Sequence, residues 1–170
     1  MLVLDVDGVL TDGRLVYSDK GEGTKTFSAR DGLAIRILLR SEIEVVVLSG
    51  RSSQAVVVRC TELGIRPECI FQGSNDKSAD LDRIEELLGV ADNQVAAMGD
   101  DLPDLPLLAR AGFSACPADA APEVMAACDM VCGAAGGHGA VRELAEVLLK
   151  GQGRWLQQID EWVIPQVRRG

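Results

Sequence analysis

Short apolar runs, rich in valine, leucine and alanine, recur along the chain between longer stretches with helical spacing. Met1-Leu2-Val3-Leu4 runs directly into Asp5, and Val45-Val46-Val47-Leu48 runs into Ser49. Cys69-Ile70-Phe71, Val95-Ala96-Ala97-Met98, Phe113-Ser114-Ala115 and Met130-Val131-Cys132 read the same way. Continuous apolar runs of this length fit strands buried on both faces, as in a parallel sheet. Between them, Leu81, Ile84, Leu87 and Leu88 share one helix face, with Gly89 placed to cap its end. Val141, Leu144, Ala145 and Leu148 repeat that spacing. Strands alternating with helices predict an α/β fold: a doubly wound parallel sheet covered on both faces.

Two segments depart from the alternation. Residues 14–27 carry Leu15-Val16-Tyr17, a polar glycine-rich turn over Asp19-Lys20-Gly21-Glu22-Gly23, and Thr24 to Phe27, which predicts a β-hairpin. Residues 151–170 form a tail beyond a core domain of about residues 1–150. In it Trp155, Leu156, Ile159, Trp162 and Val163 make an apolar stripe at helical spacing.

The length of 170 residues suits one domain, and 47% hydrophobic residues excludes disorder. A net charge of -9 argues against nucleic acid or an anionic membrane as partner, so an anionic ligand needs local cations. The five cysteines have no CxxC spacing and read as buried thiols of a reducing compartment. No cationic leader and no spanning apolar run is recognisable, so the expected location is cytoplasmic.

In open parallel sheets, ligands bind beyond the carboxyl ends of the strands. Here those ends carry Asp5 and Asp7, then Ser49-Gly50-Arg51, then Gly73 to Lys77, then Gly99-Asp100-Asp101. Polar residues end many strands, but four such clusters on one edge point to a site. Asp5-Val6-Asp7-Gly8-Val9-Leu10-Thr11 resembles the first motif, DxDG(V/T)xT, of the haloacid dehalogenase superfamily of phosphatases. Ser49, Lys77 and Gly99-Asp100-Asp101 with Asp104 follow in that superfamily's order.

The resemblance implies a phosphoryl-aspartate mechanism. Asp5 is the expected nucleophile, and Asp7 the general acid and then base. Two carboxylates beside a phosphate dianion need a hard cation, and Mg²⁺ is the expected cofactor, held by Asp5, the backbone carbonyl of Asp7 and Asp100. Lys77 would neutralise charge, and Ser49 would hydrogen-bond a phosphoryl oxygen. Asp101 and Asp104 remain open between orienting Lys77 and capping a helix.

Only 41 residues separate Asp7 from Ser49, and 22 separate Lys77 from Asp100. Neither interval leaves room for a cap domain of about 50 residues or more. This capless layout, with Phe27-Ser28-Ala29-Arg30-Asp31-Gly32 and Gly136-Gly137-His138-Gly139-Ala140-Val141-Arg142-Glu143, is similar to the family of phosphatases acting on 3-deoxy-D-manno-octulosonate 8-phosphate. Ser28-Ala29 stands where that family usually has His-Val, and His138 where Arg is common. The similarity implies a phosphorylated sugar acid as substrate, a homotetramer, and a role in lipopolysaccharide sugar synthesis. Substrate contacts are then expected at Asp7, Ser28, Ala29, Arg30, Asp31, Gly32, Gly50, Arg51, Arg59 and Lys77. A helix through Ala55 would set Arg51 and Arg59 on one face. Relatives acting on nine-carbon sugar acids tend to carry Glu in place of Arg51 and lack Arg-Asp-Gly. Two further readings are a non-catalytic domain of this fold, opposed by Asp5, Asp7, Lys77 and Asp100, and a receiver-type signalling domain, whose acceptor aspartate ends a later strand.

Overall fold

The computed structural model describes residues 1–19 and 21–160, and the fully buried runs Leu2–Leu4 and 45–48 end at Asp5 and Ser49. In chain order the strands are β1 (Leu2–Leu4), β2 (Val16–Ser18), β3 (Gly21–Thr24), β4 (Val45–Ser49), β5 (Ile70–Gln72), β6 (Ala96–Met98), β7 (Phe113–Cys116) and β8 (Met130–Val131). Six of them form one sheet in the order β5-β4-β1-β6-β7-β8, and every pairing is parallel. The chain builds outward from β1 through β4 and β5, then returns across β1 to build β6 to β8. β1 therefore sits where the winding reverses, which is where such sheets open a crevice at their carboxyl edge.

The helices are α1 (Ala29–Arg40), α2 (Gln54–Leu63), α3 (Lys77–Leu88), α4 (Leu105–Arg110), α5 (Pro122–Ala127) and α6 (Ala140–Gly151). α1 packs on α6 and α2, while α4 packs on α3 and α5. Leu2, Val3 and Leu4 have no solvent exposure. Burying side chains of this size contributes about 1.5–3 kcal/mol each.

Local chemistry starts and stops the helices at useful places. Asp76 caps α3, its carboxylate accepting from the amides of Ser78 and Ala79, and Gly89 ends it at φ 65°. That cap sets Lys77 in the first turn, facing inward. The expected apolar face of α3 is corrected in one respect. Leu81 and Ile84 are fully buried and Leu88 packs against the core, but Leu87 is 51% exposed. In α6 it is Leu149, with Val141, Leu144 and Ala145, that completes the fully buried row, while Leu148 is half-buried.

β2 and β3 pair antiparallel as a separate two-stranded sheet. The expected second strand is shifted, because pairing ends at Thr24 and Phe27 turns in against the core. Leu15, Val16 and Tyr17 stay exposed. Beyond α6, residues 155–160 are helical. The Trp155 ring lies under Arg142, 4.9 Å from its guanidinium carbon, and near the Lys150 ammonium. Leu156 faces solvent. Trp162 and Val163 of the expected stripe lie outside the described residues. The five cysteines are free, and all but Cys128 are buried.

Candidate active site

β1 delivers Asp5, and the chain then turns tightly, with the amides of Leu10 and Thr11 donating to the Val6 carbonyl. Gly8 takes φ +91°, and a Cβ there would stand 2.0 Å from Asp100 Oδ2, so only glycine fits. A segment far along the chain buttresses this turn. The Gly137 amide donates to the Val9 carbonyl at 2.9 Å, and a Cβ on Gly136 would lie 1.7 Å from the Gly8 carbonyl oxygen.

Lys77 Nζ donates to Asp5 Oδ1 at 2.7 Å and also to Asp104 Oδ1. All three residues are buried. Asp104 Oδ2 accepts from the amides of Asp100 and Asp101, at 3.0 and 3.3 Å. Asp104 thus ties the loop after β6 to Lys77, and Asp101 caps the short 3₁₀ turn Leu102–Asp104 through the Leu102 amide. The two residues whose roles the motif leaves open both act on local structure.

Burial raises the Asp5 carboxyl to about 6, against the pull of the Lys77 charge. Burial, followed by the negative charge of Asp5, raises Asp100 to about 7. For Lys77, burial works downward, but the charges of Asp5 and Asp104 outweigh it and leave the ammonium held above its ordinary value. Two carboxyls pushed up side by side mark a place short of positive charge.

Asp5, Asp100 and Asp104 can bring one carboxylate oxygen each within 4.8 Å of one another. Asp104 is already committed to Lys77 and two amides, which leaves Asp5 and Asp100 as the carboxylates with capacity to spare. An all-oxygen, net-negative donor set suits a hard cation such as Mg²⁺ rather than a soft one. The Asp7 carboxylate lies outside this cluster, so any part for Asp7 falls to its backbone carbonyl.

Asp5, Asp7, Ser49, Gly50, Arg51, Lys77 and Asp100 all line one open cleft of about 690 Å³. Ser49 Oγ accepts from the Arg51 amide at 3.2 Å, which fixes the loop after β4. Other expected contacts need correction. Arg51 is not on a helix with Arg59, because α2 begins only at Gln54. Arg51 turns toward Asp7, its Nε 3.8 Å from Oδ2, and donates from Nη2 to the Tyr17 hydroxyl at 2.8 Å. Arg59 instead pairs with Glu62 and borders a separate, nearly closed crevice with Ser28, Asp31 and Gly32. Ser28 caps α1, its Oγ accepting from the Asp31 amide. Asp31 is 1% exposed and accepts from the amides of Gly139 and Arg142, holding the start of α6. Burial raises its carboxyl against those bonds. Ala29 and Arg30 are exposed at the start of α1 and are not among the described residues lining the cleft. Within this chain the 28–32 segment and Arg59 lie apart from this cleft.

The sequence reading omits two hairpin contributions. Tyr17 reaches Arg51, and Lys25, only 2% exposed in its side chain, donates to Asp7 Oδ1 at 2.5 Å. Neither position carries a periodic or motif signal, and each is seen only once the hairpin folds over the cleft.

The model of the haloacid dehalogenase-like hydrolase family matches residues 68–144. The 3-deoxy-D-manno-octulosonate 8-phosphate phosphatase KdsC of Escherichia coli K12 is 43% identical over 154 residues, covering 91% of this chain and 81% of that protein. The corresponding phosphatase of Moraxella catarrhalis, solved with a magnesium ion, a phosphate ion and a KDO molecule, superposes with a TM-score of 0.90 at 38% identity, over 95% of this chain and 91% of that one. The cobalt-bound Haemophilus influenzae enzyme gives 0.87 at 42%, over 91% and 89%.

Proposed function

Because the chain belongs to the haloacid dehalogenase-like hydrolases, we propose that it is a magnesium-dependent phosphatase that releases phosphate from 3-deoxy-D-manno-octulosonate 8-phosphate. The observation that carries this reading is the buried contact of Lys77 with Asp5 at the carboxyl end of β1, with Asp100 beside it. A carboxylate at the floor of an open cleft, beside a fixed ammonium, is suited to attack phosphorus.

An Asp5 oxygen forms a bond to phosphorus as the ester P–O bond breaks, and the departing oxygen takes a proton from Asp7. Water then attacks the phosphoryl-aspartate, gives a proton to Asp7, and releases phosphate with Asp5 restored. Lys77 holds Asp5 in line and offsets charge on the transferring group, while Ser49 and the adjacent backbone orient its oxygens. Asp5, the Asp7 carbonyl and Asp100 would hold magnesium, which would supply the positive charge that lets an anionic ester approach these carboxylates. Arg51, at the cleft mouth, is placed to grip the sugar acid's carboxylate.

Phosphate release from eight- and nine-carbon ulosonate phosphates, each with and without Mg²⁺, tests the reading. Turnover of the eight-carbon ester should exceed that of the other, and equal or reversed preference would overturn the substrate assignment.

The same reading extends to a cytoplasmic homotetramer. No helix among the described residues is long and apolar enough to cross a membrane. The free cysteines and the exposed Leu15, Val16 and Tyr17 of the hairpin support it, since a two-stranded sheet that exposes apolar side chains gains from a partner. Light scattering should give about four times 18.1 kDa, and a fully active monomer would refute the assembly.

A further inference from the structure

Asp7 is assigned the proton transfers in the reaction proposed above, and its two oxygens are treated differently by the fold. Oδ1 accepts from the Lys25 ammonium. Among the described residues Oδ2 is shielded from solvent and has no hydrogen-bond partner, with Arg51 Nε nearby at 3.8 Å, beyond hydrogen-bonding distance. Lys25 itself is almost wholly enclosed, which is unusual for a lysine outside a committed interaction. Lys25 follows directly on β3, so the hairpin carries it over the cleft from the chain's own arm. Buried polar atoms are nearly always paired, and one left unpaired calls for an explanation, of which a catalytic role is one.

We infer that Lys25 is a positioning residue, which locks the Asp7 carboxylate by Oδ1 so that Oδ2 is the oxygen that exchanges protons with the substrate. This rests on the phosphatase reading of the cleft and deepens it. In the first half-reaction the proton on Oδ2, left there by the attacking water of the preceding turnover, passes to the ester oxygen as the P–O bond breaks. In the second, the attacking water returns a proton to the same oxygen. Without Lys25 the carboxylate is free to rotate about its Cβ–Cγ bond, and the donor is no longer aligned with the leaving group.

The consequence depends on how much the leaving group needs a proton, which a merely structural role would not reproduce. Full-length wild type and Lys25→Met would be compared, with Mg²⁺, on benzyl phosphate and 4-nitrophenyl phosphate. The benzyl alkoxide needs a proton to leave, whereas the nitrophenolate does not. Neither ester carries a carboxylate, so sugar-acid recognition does not enter.

The expected loss in kcat/KM is about tenfold to a hundredfold for the benzyl ester and less than about threefold for the nitrophenyl ester. The ratio of the two, taken in one preparation, is independent of how much of the variant is folded. Lys25→Arg, which keeps the cation, should recover most of the benzyl-ester rate. An unchanged ratio in Lys25→Met, with wild type active on both esters, overturns the Lys25 inference alone. A wild type inactive on both overturns the phosphatase reading and the inference with it.

Discussion

Two lysines meet three aspartates of this cleft, and they are held in different ways. Lys77 stands in the first turn of a capped helix, touches two buried carboxylates, and is tied through Asp104 to the loop after β6. Lys25 hangs between an exposed hairpin and α1, and the hairpin's Tyr17 is 61% exposed. The floor of the site is thus fixed by the sheet itself, while its mouth is closed by an appended arm. Bond-making groups need alignment within a fraction of an ångström, and rigid elements provide it. Groups that recognise or adjust tolerate a looser support.

If that division holds, damage to the floor should be severe and indifferent to substrate, and damage to the mouth milder and selective. The largest effect is expected for Asp5→Asn, which should lower kcat by ~10⁴ or more on any phosphate ester while leaving the melting temperature close to wild type. Near-normal turnover of the purified variant would remove the nucleophile from the floor.

Next comes the cation. EDTA should abolish activity, Mg²⁺ should restore it, and Ca²⁺ should substitute poorly because it prefers looser coordination. Since Asp5 and Asp100 are raised to about 6 and about 7 by burial, protons compete with the metal over that range. Lowering the pH from 8 to 6 should therefore weaken Mg²⁺ binding roughly tenfold or more, as read by calorimetric titration. Affinity that is flat across that window would mean both carboxyls are already ionised.

The smallest effect belongs to the mouth. Arg51→Ala should cost about tenfold to a hundredfold in kcat/KM on the sugar-acid phosphate, the loss of one charge-assisted contact, with little change on 4-nitrophenyl phosphate. Equal losses on both would move Arg51 from the mouth to the floor.

The same division explains what was legible in the sequence. The parallel sheet and the cleft-lining positions Asp5, Asp7, Ser49, Lys77 and Asp100 follow from short apolar runs ending in polar residues, because strand ends and site coincide in this architecture. The spacing of Arg51 and Arg59 suits one helix face, but α2 starts only at Gln54, three residues after Arg51, and the backbone between β4 and α2 sends the two side chains to different places. Asp31 is an expected contact only through the family resemblance of the Arg30-Asp31-Gly32 segment. Its true partners, the amides at the start of α6, are more than 100 residues away, and no local pattern encodes them. Lys25 is invisible for a similar reason, since its burial is created by a hairpin folding over a cleft.

The contact of Gly136 and Gly137 with the Gly8 turn has a consequence for the order in which the molecule is made. Every acid and base assigned to the chemistry has been joined to the chain once residue 104 is synthesised, yet the wall against which the nucleophile's loop rests comes some thirty residues later. The start of α6, clasped by Asp31, follows immediately. During synthesis, then, the reactive groups exist before the surface that shapes them. The chain becomes competent only after α6 has been made and docks on α1.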